Sequence, residues 1–273
     1  MGKIRIGCQT YTWQMSGEKY LDKLEHIMQV AARAEYSGLE PETQFLGRLW
    51  DPGLMADALT ANALELAALT LVEDWLHPQE TEAERAHADK TIAFLQNFPG
   101  TVLAIVQMPG ADRSHLRQRQ ENLLACVNAI ARRAHGQGII CSYHPNSPSS
   151  SVVRTAQDYE FFLNGLDHSV IGYAPDVGHI AAGGMDPLSI IKQYRSMVNH
   201  VHYKDMAADG VWAAMGDGVI DFTSITTYLR DSGYEGWIIV EDECPRAVDE
   251  PDEVTLEDGV YTRTHLLPIV THK

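Results

Sequence analysis

Three polar side chains close apolar runs in the C-terminal half of this 273-residue chain. Asp176 stands in Tyr173-Ala174-Pro175-Asp176-Val177-Gly178-His179, His202 in His200-Val201-His202-Tyr203-Lys204-Asp205, and Glu241 ends Trp237-Ile238-Ile239-Val240-Glu241. Short β-branched apolar runs form strands buried on both faces, so each of these groups is predicted to emerge at a strand's C-terminal end. Two carboxylates and an imidazole meeting there would make a divalent-metal site. The alternative reading of Asp176 is an N-cap aspartate on the following loop.

His200 and His202 are two residues apart and share one face of a strand, with Val201 on the other. His202 lies nearer the strand end and is the better ligand; His200 reads as a core or supporting histidine. Lys204 falls on that face again, where an ammonium could steady a developing enolate oxygen or move a proton. Its simpler reading is a rim lysine paired with Asp205. Glu241 follows a run too apolar to be exposed, so its carboxylate must be paired or metal-bound; Glu243 is its rival. A fourth ligand comes from Tyr143-His144-Pro145-Asn146, either His144 through a ring nitrogen or Asn146 through its amide oxygen. Two imidazoles with two carboxylates suit Mn²⁺, Co²⁺, Fe²⁺ or Zn²⁺ better than Mg²⁺. Gln9, Glu73, Gln107 and Asn146 could contact substrate hydroxyls, and Gly216-Asp217-Gly218 reads as a tight turn.

Strand-like runs near residues 4–9, 38–42, 64–71, 101–107, 138–143, 170–175, 199–203 and 237–241 position these groups. Helical patterns lie between them. Tyr20, Leu24, Ile27, Met28 and Ala31 form one apolar stripe before Gly38, and another runs from Leu116 to Ala134 before Gly136. Asp186-Pro187 opens a third helix with a cap and a first-turn proline; Phe222, Ile225 and Leu229 mark a fourth. The acidic stretch from Asp249 to Asp258, interrupted by Gly259, is predicted to be only partly helical. Eight strands alternating with helices, without a linker, predict an α/β fold: a single-domain (β/α)₈ barrel over 1–273. Its active site would lie at the C-terminal strand ends. An open doubly wound sheet is disfavoured, because Gly7-Cys8-Gln9-Thr10-Tyr11-Thr12-Trp13 is no Gly-rich phosphate loop.

A hydrophobic content of 45% supports one large core. No apolar leader follows Met1 and no run approaches a membrane span, so a cytoplasmic protein is expected. Cys8, Cys126, Cys141 and Cys244 show no paired spacing and read as buried free thiols. The net charge of -16 argues against nucleic acid, whose binding rests on Lys and Arg neutralising phosphates, and favours a small-molecule partner. Trp13, Trp50, Trp75 and Trp212 could line a sugar pocket or an interface, and a homo-oligomer is compatible with the chain.

Together, Asp176-Val177-Gly178-His179, His200 to Asp205, Met215-Gly216-Asp217-Gly218-Val219-Ile220-Asp221-Phe222 and Gly236 to Glu241 resemble the xylose-isomerase-like TIM-barrel superfamily, and most of all its inosose dehydratase branch. The likeness is strongest over about residues 138–245. It implies a (β/α)₈ barrel with one divalent metal, commonly manganese, cobalt or magnesium, and a place in carbohydrate metabolism such as inositol catabolism. In most of the superfamily the ligands are a glutamate ending strand five, an aspartate ending strand six, a histidine on strand seven and a glutamate ending strand eight. Asp176, His202 and Glu241 match; the strand-five position reads Tyr143-His144-Pro145 instead, a pattern similar to the inosose dehydratase branch.

The expected activity is that of a metal-dependent lyase or isomerase on a polyhydroxylated ketone or keto-sugar. A base, with Glu241, His144 and His179 as candidates, removes the proton beside a metal-bound carbonyl while Lys204 stabilises the oxygen. Loss of a β-hydroxyl then gives dehydration, the favoured outcome; reprotonation gives a ketose epimerase or isomerase. A non-catalytic sugar-binding barrel is the remaining alternative. A metal-dependent nuclease is disfavoured by the acidic charge.

Overall fold

The computed structural model describes residues 4–271. Its strands are β1 (Ile4–Gln9), β2 (Gly38–Glu40), β3 (Glu65–Leu66), β4 (Ala68–Glu73), β5 (Val102–Gln107), β6 (Ile140–Tyr143), β7 (Gly172–Tyr173), β8 (Val201–Tyr203), β9 (Asp205–Met206), β10 (Trp212–Ala213) and β11 (Gly236–Val240). All eight predicted runs contain strand. The third divides at Ala67: β3 pairs with β2, whereas β4 is an edge of a different sheet. Contacts group the chain into two compact units, one made of the segment up to Ala68 with the segment from Val201 onward, the other of Leu69–His200.

The first unit is a parallel sheet in the order β3-β2-β1-β11-β8. The first strand therefore pairs with the last, Ile6 opposite Ile238 and Cys8 opposite Val240. Trp237, Ile238, Ile239 and Val240 are buried, as a both-faces-covered strand requires. Leu24–Arg33 is the first predicted helix, with Leu24, Ile27, Met28 and Ala31 on its buried stripe. Phe222–Asp231 follows an Asp221 cap whose carboxylate accepts the Ser224 N–H at 2.9 Å.

Two features of this unit depart from the sequence reading. The stretch after β11 is helical over Pro251–Tyr261 and stays wound through Thr271, with one π-helical segment at Thr262–Leu266. Pro251 occupies the first turn, where no N–H is needed. Gly259 does not interrupt the helix because it is a contact point: a Cβ there would stand 2.5 Å from the Ala34 carbonyl oxygen. The second departure is the antiparallel hairpin β9–β10, which the sequence pattern did not reveal. Its anchor is Asp205. That buried carboxylate accepts N–H groups from Met206 (2.8 Å), Gly216 (2.9 Å), Gly218 (3.0 Å) and Ile220 (3.3 Å). The Gly216-Asp217-Gly218 turn is thus wrapped around an acid eleven residues upstream of its first glycine, with Gly216 at φ 95, a left-handed backbone that glycine tolerates.

The second unit is a parallel sheet in the order β4-β5-β6-β7, with Leu103 opposite Cys141 and Ser142 opposite Gly172. Its helices begin as their sequences dictate. Thr81 with Glu84 and Thr155 with Asp158 form capping boxes, and Asp186 caps the Pro187 helix. Asp158 does more than cap. Its buried carboxylate also accepts from Arg113 Nη2 at both oxygens (2.9 and 2.8 Å) and from the Gln120 amide (2.8 Å). Burial alone would raise its pKa, but the Thr155 N–H, the Arg113 guanidinium and the Arg154 N–H outweigh it and hold the group below the usual carboxylate range. A depressed folded-state pKa adds stability above the unfolded value of about 3.9, and that contribution is lost as pH falls through the folded value. We therefore expect Asp158→Asn to cost about 3 kcal/mol at pH 7, with the gap to the unsubstituted chain closing as pH drops below about 4. Urea midpoints measured from pH 7 to pH 3 test this; a gap independent of pH would refute it.

Among the described residues no helix is long and apolar enough to cross a membrane. All four cysteines are buried free thiols, as read from their spacing, and burial pushes Cys126, Cys141 and Cys244 up to about 12.

Candidate functional site

In the first unit the predicted groups come from adjacent strand ends. His202 sits mid-strand in β8, Lys204 just beyond it, and Glu241 directly after β11, which lies beside β8 with Ile239 opposite His202. His202 Nδ1 is 3.1 Å from Glu241 Oε2, and Glu241 Oε1 is 2.6 Å from Lys204 Nζ. Lys204 also pairs with Glu243 Oε1. Its ammonium is fully buried, 5.6 Å from the Tyr11 ring centroid and 5.3 Å from that of Trp212 on β10. The alternative pairing of Lys204 with Asp205 is replaced, because Asp205 points into the hairpin and is spent on backbone N–H groups. Glu241 and Glu243, rivals for one role in the sequence, instead share the same lysine.

Glu40 and Glu42, at and just beyond the end of β2, belong to this cluster. Glu40, the last residue of β2, reaches His202 Nε2 at 3.0 Å. Between β2 and β8 stand β1 and β11; side chains upright on a flat sheet would leave these groups roughly 14 Å apart. Their contact shows that this sheet is strongly curled, with both residues on its concave face. Burial opposes a charge on His202, but the Glu40 and Glu241 carboxylates outweigh it and push the imidazole up to about 10. Glu42 is pushed up to about 7 by burial, against the Gln44 hydrogen bond and with the charges of Glu241, Glu40 and Glu243 adding to the shift. Gln9, predicted to bind substrate, is buried with its side-chain oxygen accepting the Tyr11 N–H.

In the second unit the two oxygens of Asp176 face different neighbours. The residue is the N-cap of Val177–Ala182, with Oδ1 accepting the His179 N–H at 2.9 Å. Its other oxygen, Oδ2, lies 3.6 Å from His144 Nε2 and 3.6 Å from His179 Nε2. His179 Nδ1 is 3.0 Å from the Pro145 carbonyl, to which it donates, so Nε2 is the nitrogen left toward Asp176. His144, Asp176 and His179 are all buried. Asn146 donates to the Gln107 carbonyl at 3.1 Å, and Gln107 donates to the Asp74 carbonyl at 2.9 Å. Glu73, at the end of β4, pairs with His87 at 2.5 Å and is only half-buried. Trp75 is fully buried at φ 44, its N–H held by Glu84 at 2.8 Å. A cavity of about 900 Å³ lies at the other end of β6 and β7, lined by Ile140, Ile171 and Asn199. None of the predicted residues lines it.

Both units thus carry buried imidazole–carboxylate pairs at the C-terminal ends of parallel strands, the place where (β/α)₈ barrels hold their active sites. The chain belongs to the xylose isomerase-like TIM barrel family, whose sequence profile matches residues 28–263, and its fold class is accordingly the (β/α)₈ barrel. Among named relatives, an inosose dehydratase of Clostridium beijerinckii is 26% identical over 74% of this chain and 78% of its own length. Among solved structures, the IOLI protein with a binding zinc atom superposes with a TM-score of 0.76 at 14% identity, covering 98% of each chain. D-Psicose 3-epimerase from Clostridium cellulolyticum H10 also gives 0.76 at 14% identity, over 96% of this chain and 99% of that one.

Proposed function

We propose that the protein is a metal-dependent dehydratase of a polyhydroxylated ketone, of the inosose dehydratase kind. The observation that carries this reading is the buried contact chain His202–Glu241–Lys204, which sets an imidazole, a carboxylate and an ammonium side by side. In this reading the protein forms a single barrel over residues 1–273, acts in the cytoplasm and takes a small keto-polyol as substrate. His202 and Glu241 hold a divalent cation together with His144 and Asp176. Two imidazole nitrogens and two carboxylates are a borderline donor set that fits manganese, cobalt, iron or zinc. When bound, such an ion supplies Lewis acidity to the carbonyl of the substrate.

The chain's own groups do the rest. Glu241 is the base that takes the proton from the carbon beside the carbonyl, with His179 placed to exchange protons at its Nε2. Lys204 offsets the negative charge that gathers on the substrate oxygen, and because it is buried and already paired its position needs no reorganisation. Departure of the β-hydroxyl with a proton completes the loss of water. Gln9, Glu73, Gln107 and Asn146 bind substrate hydroxyls. Epimerisation by two opposed glutamates is disfavoured, since His144 stands where a strand-five glutamate would be needed.

Purified protein is expected to contain about one divalent ion per chain. Inosose should give a new near-ultraviolet absorbance as water is lost; chelation should abolish it, and manganese, cobalt or zinc restore it. Ketohexoses and dehydroshikimate serve as comparison substrates. Turnover of a ketohexose without absorbance change would instead make the protein an epimerase, and a chain that binds no metal would be a sugar-binding barrel.

A further inference from the structure

We infer that Glu40 is a positioning residue for the metal centre: it holds the Nε2–H of His202 and so presents Nδ1, on the Glu241 side, as the ligating atom. The inference rests on the reading of His202 as a ligand and adds to it the nitrogen used and the group that selects it.

The geometry separates the two edges of the ring. Nε2 faces Glu40 Oε2 at 3.0 Å, whereas Nδ1 faces Glu241 Oε2 at 3.1 Å. Lone pairs on the two nitrogens diverge, so an ion at one cannot touch a group bound to the other. Glu241 follows β11, beside β8, and its second oxygen is already on Lys204. Glu40 comes from β2, across the curl of the sheet, and its backbone is pinned there by the Thr10 N–H donated to its carbonyl at 3.1 Å. Ligand and holder are thereby distinguished: a cation that binds Nδ1 takes the place of the proton there, and the remaining ring proton stays on Nε2, held by Glu40. A fully buried carboxylate needs such a charge-assisted partner, and Glu40 is fully buried. The same contact opposes a flip of the ring about its Cβ–Cγ bond, which would turn ring carbons toward both carboxylates.

The test compares Glu40→Ala, Glu40→Gln and His202→Ala for zinc and manganese affinity by calorimetry, with ring ¹⁵N and ¹H resonances of His202 recorded on the zinc-loaded protein. Glu40→Ala is expected to weaken metal binding about 10–100-fold and to remove the slowly exchanging Nε2–H signal. Glu40→Gln keeps the shape and an accepting oxygen; it should fold, recover most of the affinity and move the Nε2–H resonance upfield as the charged acceptor is lost. If His202→Ala abolishes binding while both Glu40 variants keep full affinity and an unshifted Nε2–H signal, the inference is overturned and the ligand reading stands. Unchanged affinity in His202→Ala overturns the ligand reading itself. Should Glu40→Ala fail to fold, the resonance shift in Glu40→Gln decides alone.

Discussion

Lys204→Met is expected to lower kcat on the order of 10³-fold while leaving KM within a few-fold. The buried ammonium touches Glu241 and Glu243, and in the proposed reaction it acts where negative charge develops, so its effect is felt in the transition state more than on binding. Methionine keeps most of the length of the side chain but takes away the ammonium that Glu241 and Glu243 share. Breaking a buried pair in this way costs about 3–5 kcal/mol, so the urea midpoint should fall as well. Kinetics must therefore be measured well below the melting transition, with the folded fraction checked by circular dichroism. A kcat within three-fold of the unsubstituted protein, in a variant that is folded, would remove Lys204 from the chemistry.

Asp176 permits a sharper separation, because the two oxygens of one carboxylate have two jobs. Oδ1 caps the Val177–Ala182 helix, and Oδ2 lies toward His144 and His179. Asn is as good an N-cap as Asp, whereas a neutral amide is a poor ligand for a divalent ion. Asp176→Asn should thus change stability by less than about 1 kcal/mol yet lower metal affinity by about 100-fold or more, and activity with it. Asp176→Ala should lose the metal and about 1 kcal/mol of cap together. If the Asn variant binds metal normally, the capping role suffices and the proposed ligand set is wrong at this position. Calorimetric metal titration alongside urea unfolding reads both quantities on the same samples.

How much of this was legible beforehand follows from what is local and what is not. The eight strand runs are local properties of β-branched stretches such as Trp237 to Val240, and the caps at Asp176 and Asp186 are read from the residues beside them. Those survive in the structure. The Pro251–Tyr261 helix was under-read because acidic composition and Gly259 argue against a helix in isolation, while the close approach to Ala34 that Gly259 permits lies on another helix's end. The β9–β10 hairpin was missed for a related reason: its strands are two residues each, too short for any alternation, and its stability comes from Asp205 gathering N–H groups spread over fifteen residues.

For the site, sequence determined which residue types stand at which strand ends, because strand termini and burial follow from hydrophobic pattern alone. It did not determine their partners. That Glu40 meets His202, that Lys204 lies between Glu241 and Glu243, and that Asp205 turns away from Lys204 toward the glycine loop are decided by strand order and by the curl of the sheet, which bring together groups up to 162 positions apart. A pattern along the chain has no term for that curvature; only the folded sheet sets which side chains converge on its concave face.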